Sequence, residues 1–297
     1  MAIGYACLTV DVPDTKLSRC ILKNASPDHL RVLIRRNLEA LSNIIDYNKE
    51  NNIKLFRISS DIIPFGSHPV NQLRWWEEFQ LELDQLSEKI KAADIRVSMH
   101  PGQYTLINSP NKEVVERAFM DLVYHDRFLT SLHMDEKSKL ILHVGGVYGD
   151  KSISMQRFIK EYYRLPNDIK KRLVIENDDI NYNIEEVTRI YEEVGAPVVF
   201  DNLHHKINPP SIIKEDYDWI SACADTWSKK DGKQKIHYSQ QKEGGKSGSH
   251  SDTIDVLEFM NYYDFLPDRT IDIMLEVKDK NLSAVKCLSS IRENSEI

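Results

Sequence analysis

Eight short apolar runs recur along the 297 residues, and their spacing constrains the fold more than any other feature. They are 3–9 (IGYACLT), 54–58 (KLFRI), 95–99 (IRVSM), 139–143 (KLILH), 173–176 (LVIE), 197–200 (PVVF), 235–238 (KIHY) and 271–276 (IDIMLE). Each suits a buried strand. Helical patterns separate them. Residues 28–50 carry Leu30, Leu33, Ile34, Leu38, Leu41 and Ile45 at helical spacing, and 71–92, 113–133, 153–163, 184–194, 211–227, 252–262 and 281–292 look similar. "SPDHL" at 26–30 and "SPNKE" at 109–113 are good helix starts. Eight strands alternating with eight helices, about 37 residues per unit, predict an α/β chain folded as a single (β/α)8 TIM barrel over 1–297. A doubly wound open sheet is less favoured, because no G-x-G-x-x-G follows the first strand. No linker or low-complexity stretch marks a second domain.

Composition narrows the function classes. Hydrophobic residues make up 41% and charged residues 29%, which suits a large core under a charged surface. No apolar run approaches the roughly 20 residues of a membrane span. The opening "MAIGYACLTVDVPD" lacks the basic start of a secretory signal, and the four cysteines form no C-x-x-C pair. Both points lead to the expectation of a cytoplasmic protein with reduced thiols. The net charge of −7 argues against a nonspecific nucleic-acid binder, although carboxylates gathered around cations add negative charge that the bound ions offset. The stretch 229–246 is locally basic, with six lysines against one aspartate and one glutamate.

Six strands end in residues that bind metals: His100, His143, Glu176, Asp201, His237 (within "KIHY") and Glu276. Their separations of 43, 33, 25, 36 and 39 residues put one at each successive βα unit. In a barrel all C-terminal strand ends meet at one mouth. Independent helix capping would favour Asp, Ser, Thr and Asn there, not three histidines and two glutamates. Loop candidates are His68, His204, His205 and His250, whereas His29, His125 and His133 read as surface or packing residues. Nitrogen and hard oxygen donors without thiolate suit Mn²⁺ or Zn²⁺, and the excess of ligands suggests two or more ions. "ENDD" at 176–179 offers groups that could orient a ligand, Asp178 among them. Lys235 lies two residues before His237, so both point to one face, where a lysine is expensive unless paired or chemically altered.

With these residues in place, the chain resembles the ultraviolet-damage endonuclease family and, more distantly, endonuclease IV. The resemblance rests on "GYACLT", "RISSDIIPFGSHP" (57–69), "SMHPGQYTLINSP" (98–110), "HVGGVYGDK" (143–151), "IENDD" (175–179), "VVFDNLHH" (198–205), "KIHYS" (235–239), "GSHSD" (248–252) and "IMLEVKDK" (273–280). It implies a TIM barrel that cuts DNA immediately 5′ to cyclobutane pyrimidine dimers, 6-4 photoproducts and abasic sites, leaving a 3′-hydroxyl and a 5′-phosphate. It implies two to three Mn²⁺ (or Zn²⁺ or Mg²⁺) on His100, His143, Glu176, Asp201, His204, His237, His250 and Glu276, with His68 and Asp178 behind them. Catalytic roles go to Glu176, Lys235, His237 and Glu276, with Lys235 at a position where the family carries a modifiable lysine. Gln103 and Tyr104 match the pair that probes the duplex, and Tyr5 matches an aromatic near the flipped lesion. Thr9 departs from the family's usual asparagine.

Lys242 and Lys246 are expected to touch phosphates, and damaged double-stranded DNA is the expected partner of a monomer. In "VSMHPGQYTL" (97–106), Pro101 and Gly102 are expected to turn the chain behind His100, Gly102 being able to take φ values closed to other residues, so that Gln103 and Tyr104 stand on the rim. A divalent-metal sugar isomerase or epimerase on the same barrel is the competing function.

Overall fold

In the computed structural model, which describes residues 1–295, eight parallel strands form one sheet in the order β6-β5-β4-β3-β2-β1-β8-β7. The last two positions of the predicted 1–297 domain lie outside the described residues. The strands are β1 (Ile3–Ala6), β2 (Leu55–Ile58), β3 (Arg96–Met99), β4 (Leu140–His143), β5 (Leu173–Glu176), β6 (Val198–Val199), β7 (Lys235–Tyr238) and β8 (Asp272–Leu275). The barrel closes where Asp201 bridges His237 and the His237 N–H donates to the Phe200 carbonyl at 2.9 Å. Two of the sequence-marked residues therefore sit on the closing seam.

The helices are α1 (Pro27–Glu50), α2 (Trp75–Glu78), α3 (Gln80–Ala92), α4 (Lys112–Ser131), α5 (Lys151–Arg164), α6 (Asn167–Arg172), α7 (Ile184–Val194), α8 (Asn202–Ile207), α9 (Asp216–Ala224), α10 (Val256–Asp264) and α11 (Asn281–Ser295). In α1, Ser26 caps the first turn, Pro27 occupies the first helical position, and the predicted apolar face is buried throughout. Three helices depart from simple alternation. The stretch 71–92 breaks at Phe79, whose non-helical backbone lets both Trp75 and Phe79 enter the core. Pro166 ends α5 and starts α6. Asp201 caps the short α8, accepting from the His204 N–H at 2.8 Å.

Side chains alternate along each strand, and this sorts them into two layers. Outward residues such as Tyr5, Phe56 and Ile175 join the large core under the helices. Inward residues fill the barrel. Ile141, Val174 and Val199 form one apolar plug, and Ala6, Leu55 and Met274 form another. Above these plugs the inward positions become His100, His143, Glu176, Asp201, His237 and Glu276.

Tyr5 is a correction to the expectation of a lesion contact. It is 0% exposed, its ring packs edge-on against Phe56, and its hydroxyl donates to Asn48 Oδ1 of α1 at 2.8 Å. Ala6, one residue on, takes the inward face. Tyr5→Phe should lower stability by about 1–3 kcal/mol, since it strands a buried acceptor. It should leave incision of damaged DNA unchanged, and paired denaturation and incision assays check this.

Candidate metal centre

Glu176 sits at the middle of the cup and is buried with its carboxylate surrounded by imidazoles. Oε1 receives His237 Nδ1 at 2.6 Å, and Oε2 lies 3.1 Å from His100 Nε2 and 3.4 Å from His143 Nε2. Three groups of side chains could each hold an ion: His100, His143 and Glu176; Glu176, Asp201 and His204; Glu176, His237 and Glu276. Glu176 belongs to all three.

Backbone carbonyls set the ligand tautomers. His100 Nδ1 faces the Pro101 carbonyl at 2.9 Å and His204 Nδ1 faces the Asn177 carbonyl at 2.9 Å. A carbonyl can only accept, so each Nδ1 carries a proton, and Nε2 is the atom of each ring that could meet a cation. Asp201 spends Oδ1 on the α8 cap, while its Oδ2 is buried without a partner. His237 Nε2 and His143 Nδ1 are likewise buried and unpartnered. Buried polar atoms normally find hydrogen bonds, so these orphans fit divalent-cation ligands.

The buried charges of the cup set one another's ionisation. Burial opposes the charge on Glu176, but His237, His143 and His100 outweigh it and hold the carboxyl well below its usual range. Burial likewise opposes ionisation of Glu276, and Arg57 and His237 overcome it. Burial pushes Asp201 up. It pulls His143 down to about 4, whereas at His204 the Asp201 and Glu176 carboxylates outweigh burial and lift the imidazole to about 9.

Some expected site residues lie elsewhere. His250 is half-buried in the loop after β7, where it bridges Gln241, and stands outside all three groups. His68 turns its Nδ1 back to the Val70 N–H at 3.1 Å, with its ring near Phe65. Asp178 binds its own turn, accepting from the N–H groups of Ile180, Asn181 and Tyr182. The positioning task falls to Asn177, whose side chain pairs with both the N–H (2.9 Å) and the carbonyl (3.1 Å) of Asp201. Arg57, not marked from sequence, ion-pairs with Glu276 at 2.5 Å. Its signal was a lone charge inside the apolar run KLFRI, in phase with the inward residues.

Lys235 points into the barrel below His237, is 0% exposed, and its Nζ has no hydrogen-bond partner. Burial, with Arg96 and Arg57 nearby, holds the amine well below its usual pKa. The basic stretch 229–246 is not one surface. The loop carrying Lys229, Lys230 and Lys233 lies at the N-terminal end of the barrel, where Arg96 holds the Asp231 and Lys233 carbonyls. Lys242 and Lys246 follow β7 on the mouth side, and Lys242 shares Asp252 with Lys278.

The Gln103–Tyr104 pair occupies the corners of a turn closed by the Thr105 N–H to the Gly102 carbonyl at 2.9 Å. Tyr104 is 80% exposed. Gly102 does not take a positive φ, and a Cβ there would meet nothing, so the turn does not require glycine, contrary to expectation. Among the described residues no helix is long and apolar enough to cross a membrane.

Glu176→Gln should abolish tight binding of divalent ions, because no carboxylate then links the three groups. Titration calorimetry with Mn²⁺ checks this, and His29→Ala should bind as the parent does.

The model of the family described as UV-endonuclease UvdE matches residues 1–297. The UV DNA damage endonuclease of Clostridium perfringens is 45% identical over 99% of this chain and 71% of its own length. The crystal structure of SacUVDE superposes with a TM-score of 0.94 at 36% identity, covering both chains completely. Endonuclease IV from Thermus thermophilus (TM-score 0.59, 11% identity, 100% of this chain and 99% of that one) shares the fold alone. So does D-psicose 3-epimerase from Clostridium cellulolyticum (0.55, 12%, 93% and 85%). Since the family match spans every strand-end residue that builds the cup, this chain belongs to the UV-endonuclease family.

Proposed function

We propose that the protein incises damaged double-stranded DNA immediately 5′ to cyclobutane pyrimidine dimers, 6-4 photoproducts and abasic sites, leaving a 3′-hydroxyl and a 5′-phosphate. The observation that carries this reading is the three-group cup centred on Glu176, with an exposed glutamine–tyrosine turn that begins two residues after His100. The fold alone would suit a sugar epimerase equally well. An open rim with a projecting aromatic suits a duplex better than a small sugar.

His100, His143, Glu176, Asp201, His204, His237 and Glu276 would hold two or three divalent ions, Mn²⁺ foremost, and His250 would join if its loop moved inward. Bound there, such ions supply Lewis acidity toward a phosphoryl oxygen and lower the pKa of water. The chain's own residues do the rest. Asn177 and the Pro101 carbonyl fix the ligand orientations. Arg57 keeps Glu276 ionised. Lys235 is the residue we assign to carboxylation, because an unpartnered amine in a buried polar site becomes an anionic ligand on gaining CO₂. Gln103 and Tyr104 enter the stack where a lesion has weakened it: the ring stacks on any base, and the amide bonds to base edges left without partners. Damaged bases are cheaper to unstack, so the pair senses lost stacking rather than one adduct. We assign the activity to the cytoplasm, on a monomer.

On ultraviolet-irradiated plasmid with Mn²⁺, the double substitution Gln103→Ala, Tyr104→Ala should keep metal content and cut incision at dimers strongly. Incision at abasic sites should fall less, since these are already unstacked. Equal loss on both substrates would falsify the probing role, and sugar turnover without nicking would favour the epimerase reading.

Lys242 and Lys246 are proposed phosphate contacts. Neutralising both should weaken binding to damaged and undamaged duplexes alike and reduce the salt slope by about one to two units. An unchanged slope means that they face away from DNA.

A further inference from the structure

Helix α4 reaches under two rim loops, and its half-buried Asp121 and buried His125 stand outside the three candidate metal-holding groups. The Asp121 carboxylate accepts from the Ser67 hydroxyl at 2.8 Å with Oδ1 and from the Thr105 hydroxyl at 2.6 Å with Oδ2. Ser67 belongs to the loop after β2, and Thr105 closes the turn that carries Gln103 and Tyr104. One turn on, His125 is fully buried, with Nδ1 at 2.7 Å from the Asp121 carbonyl and Nε2 at 2.8 Å from the Ser60 hydroxyl. The Ser60 hydroxyl, with one proton to share between the two, also lies 2.9 Å from the His100 carbonyl. The loop after β2 is pressed onto this helix: a Cβ on Gly66 would lie 2.3 Å from the Tyr124 ring.

We infer that Asp121 is a positioning residue for the probing pair, a brace that ties the Gln103–Tyr104 turn and the loop after β2 to one rigid helix. The inference rests on the probing role proposed above. The geometry explains why a carboxylate stands there. Two hydroxyls on separate loops each have a single proton to give, and a carboxylate accepts both at fixed angles. Tyr104 is exposed and has no side-chain partner among the described residues, so its position is set by the backbone that Thr105 anchors. A wedge that enters a base stack must resist being pushed back, and the brace supplies that resistance. His125 and Ser60 extend the same support to the carbonyl of His100, so the probe turn and one wall of the cup share a foundation.

The test begins with hydrogen–deuterium exchange on the DNA-free protein, which does not depend on the functional reading. Asp121→Ala should raise exchange over residues 102–106 about tenfold, the size of losing a hydrogen bond to a charged group. Thr105→Val, which removes only the hydroxyl, should do nearly the same, and Asp121→Asn should fall between Asp121→Ala and the parent. Strand amides and Mn²⁺ content should stay unchanged. The second readout is the ratio of affinities for dimer-containing and undamaged duplex. Asp121→Ala should shrink it several-fold in the parent, yet leave it unchanged when Gln103 and Tyr104 are already alanine. Parental exchange over 102–106 in both variants overturns the inference, as does an equal loss of discrimination in the alanine background. A parent protein that shows no preference for damaged duplex would instead refute the probing role, and the exchange data would still decide whether the brace exists.

Discussion

The carboxylate of Glu176 organises the barrel mouth. A buried carboxylate is costly unless paired, and this one is met by imidazoles from three other strands or loops rather than by lysine or arginine. An imidazole can take up either a proton or a metal ion. The imidazoles and the carboxylate therefore hold one another in a cup whose side chains group as a cation's ligands would. The two histidines fixed by backbone carbonyls cannot swap tautomers without losing a hydrogen bond, so their Nε2 atoms stay aimed inward. Asp201 and His237 also bridge across the barrel's closing seam, so two candidate ligands sit on that seam.

Much of this was legible in the sequence for a geometric reason. Parallel strands deliver their C-terminal residues to one place, so a ligand at the end of each run implies convergence without any knowledge of loops. All eight runs became strands, and His100, His143, Glu176, Asp201, His237 and Glu276 all line the cup. His204 joins because a residue three past a helix cap folds back over the cap.

What was illegible depends on parity and on loop paths. Tyr5 sits one residue from the inward Ala6, and a shift of one residue moves a side chain from the lumen to the helix layer. Asn177 and Asp178 are neighbours in an acidic tail, and only the turn at 178–182 decides which of them reaches Asp201. The basic stretch was split because a strand runs through it, carrying Lys229 and Lys242 to opposite ends of the barrel. Gly102 suggested a special backbone where none exists. The brace on α4 was hidden because its partners are 16 to 65 residues apart in sequence and meet only when two loops fold over one helix.

In the mechanism we propose, one carboxylate, that of Glu176, gathers the ions that would act on the phosphodiester. Anomalous scattering at the manganese edge, from crystals grown with Mn²⁺, tests it most directly. The account predicts two or three peaks inside the cup, each in contact with or adjacent to the Glu176 carboxylate, and density continuing beyond Lys235 Nζ toward them. Peaks that avoid Glu176, or a cup without any peak at saturating Mn²⁺, would contradict it.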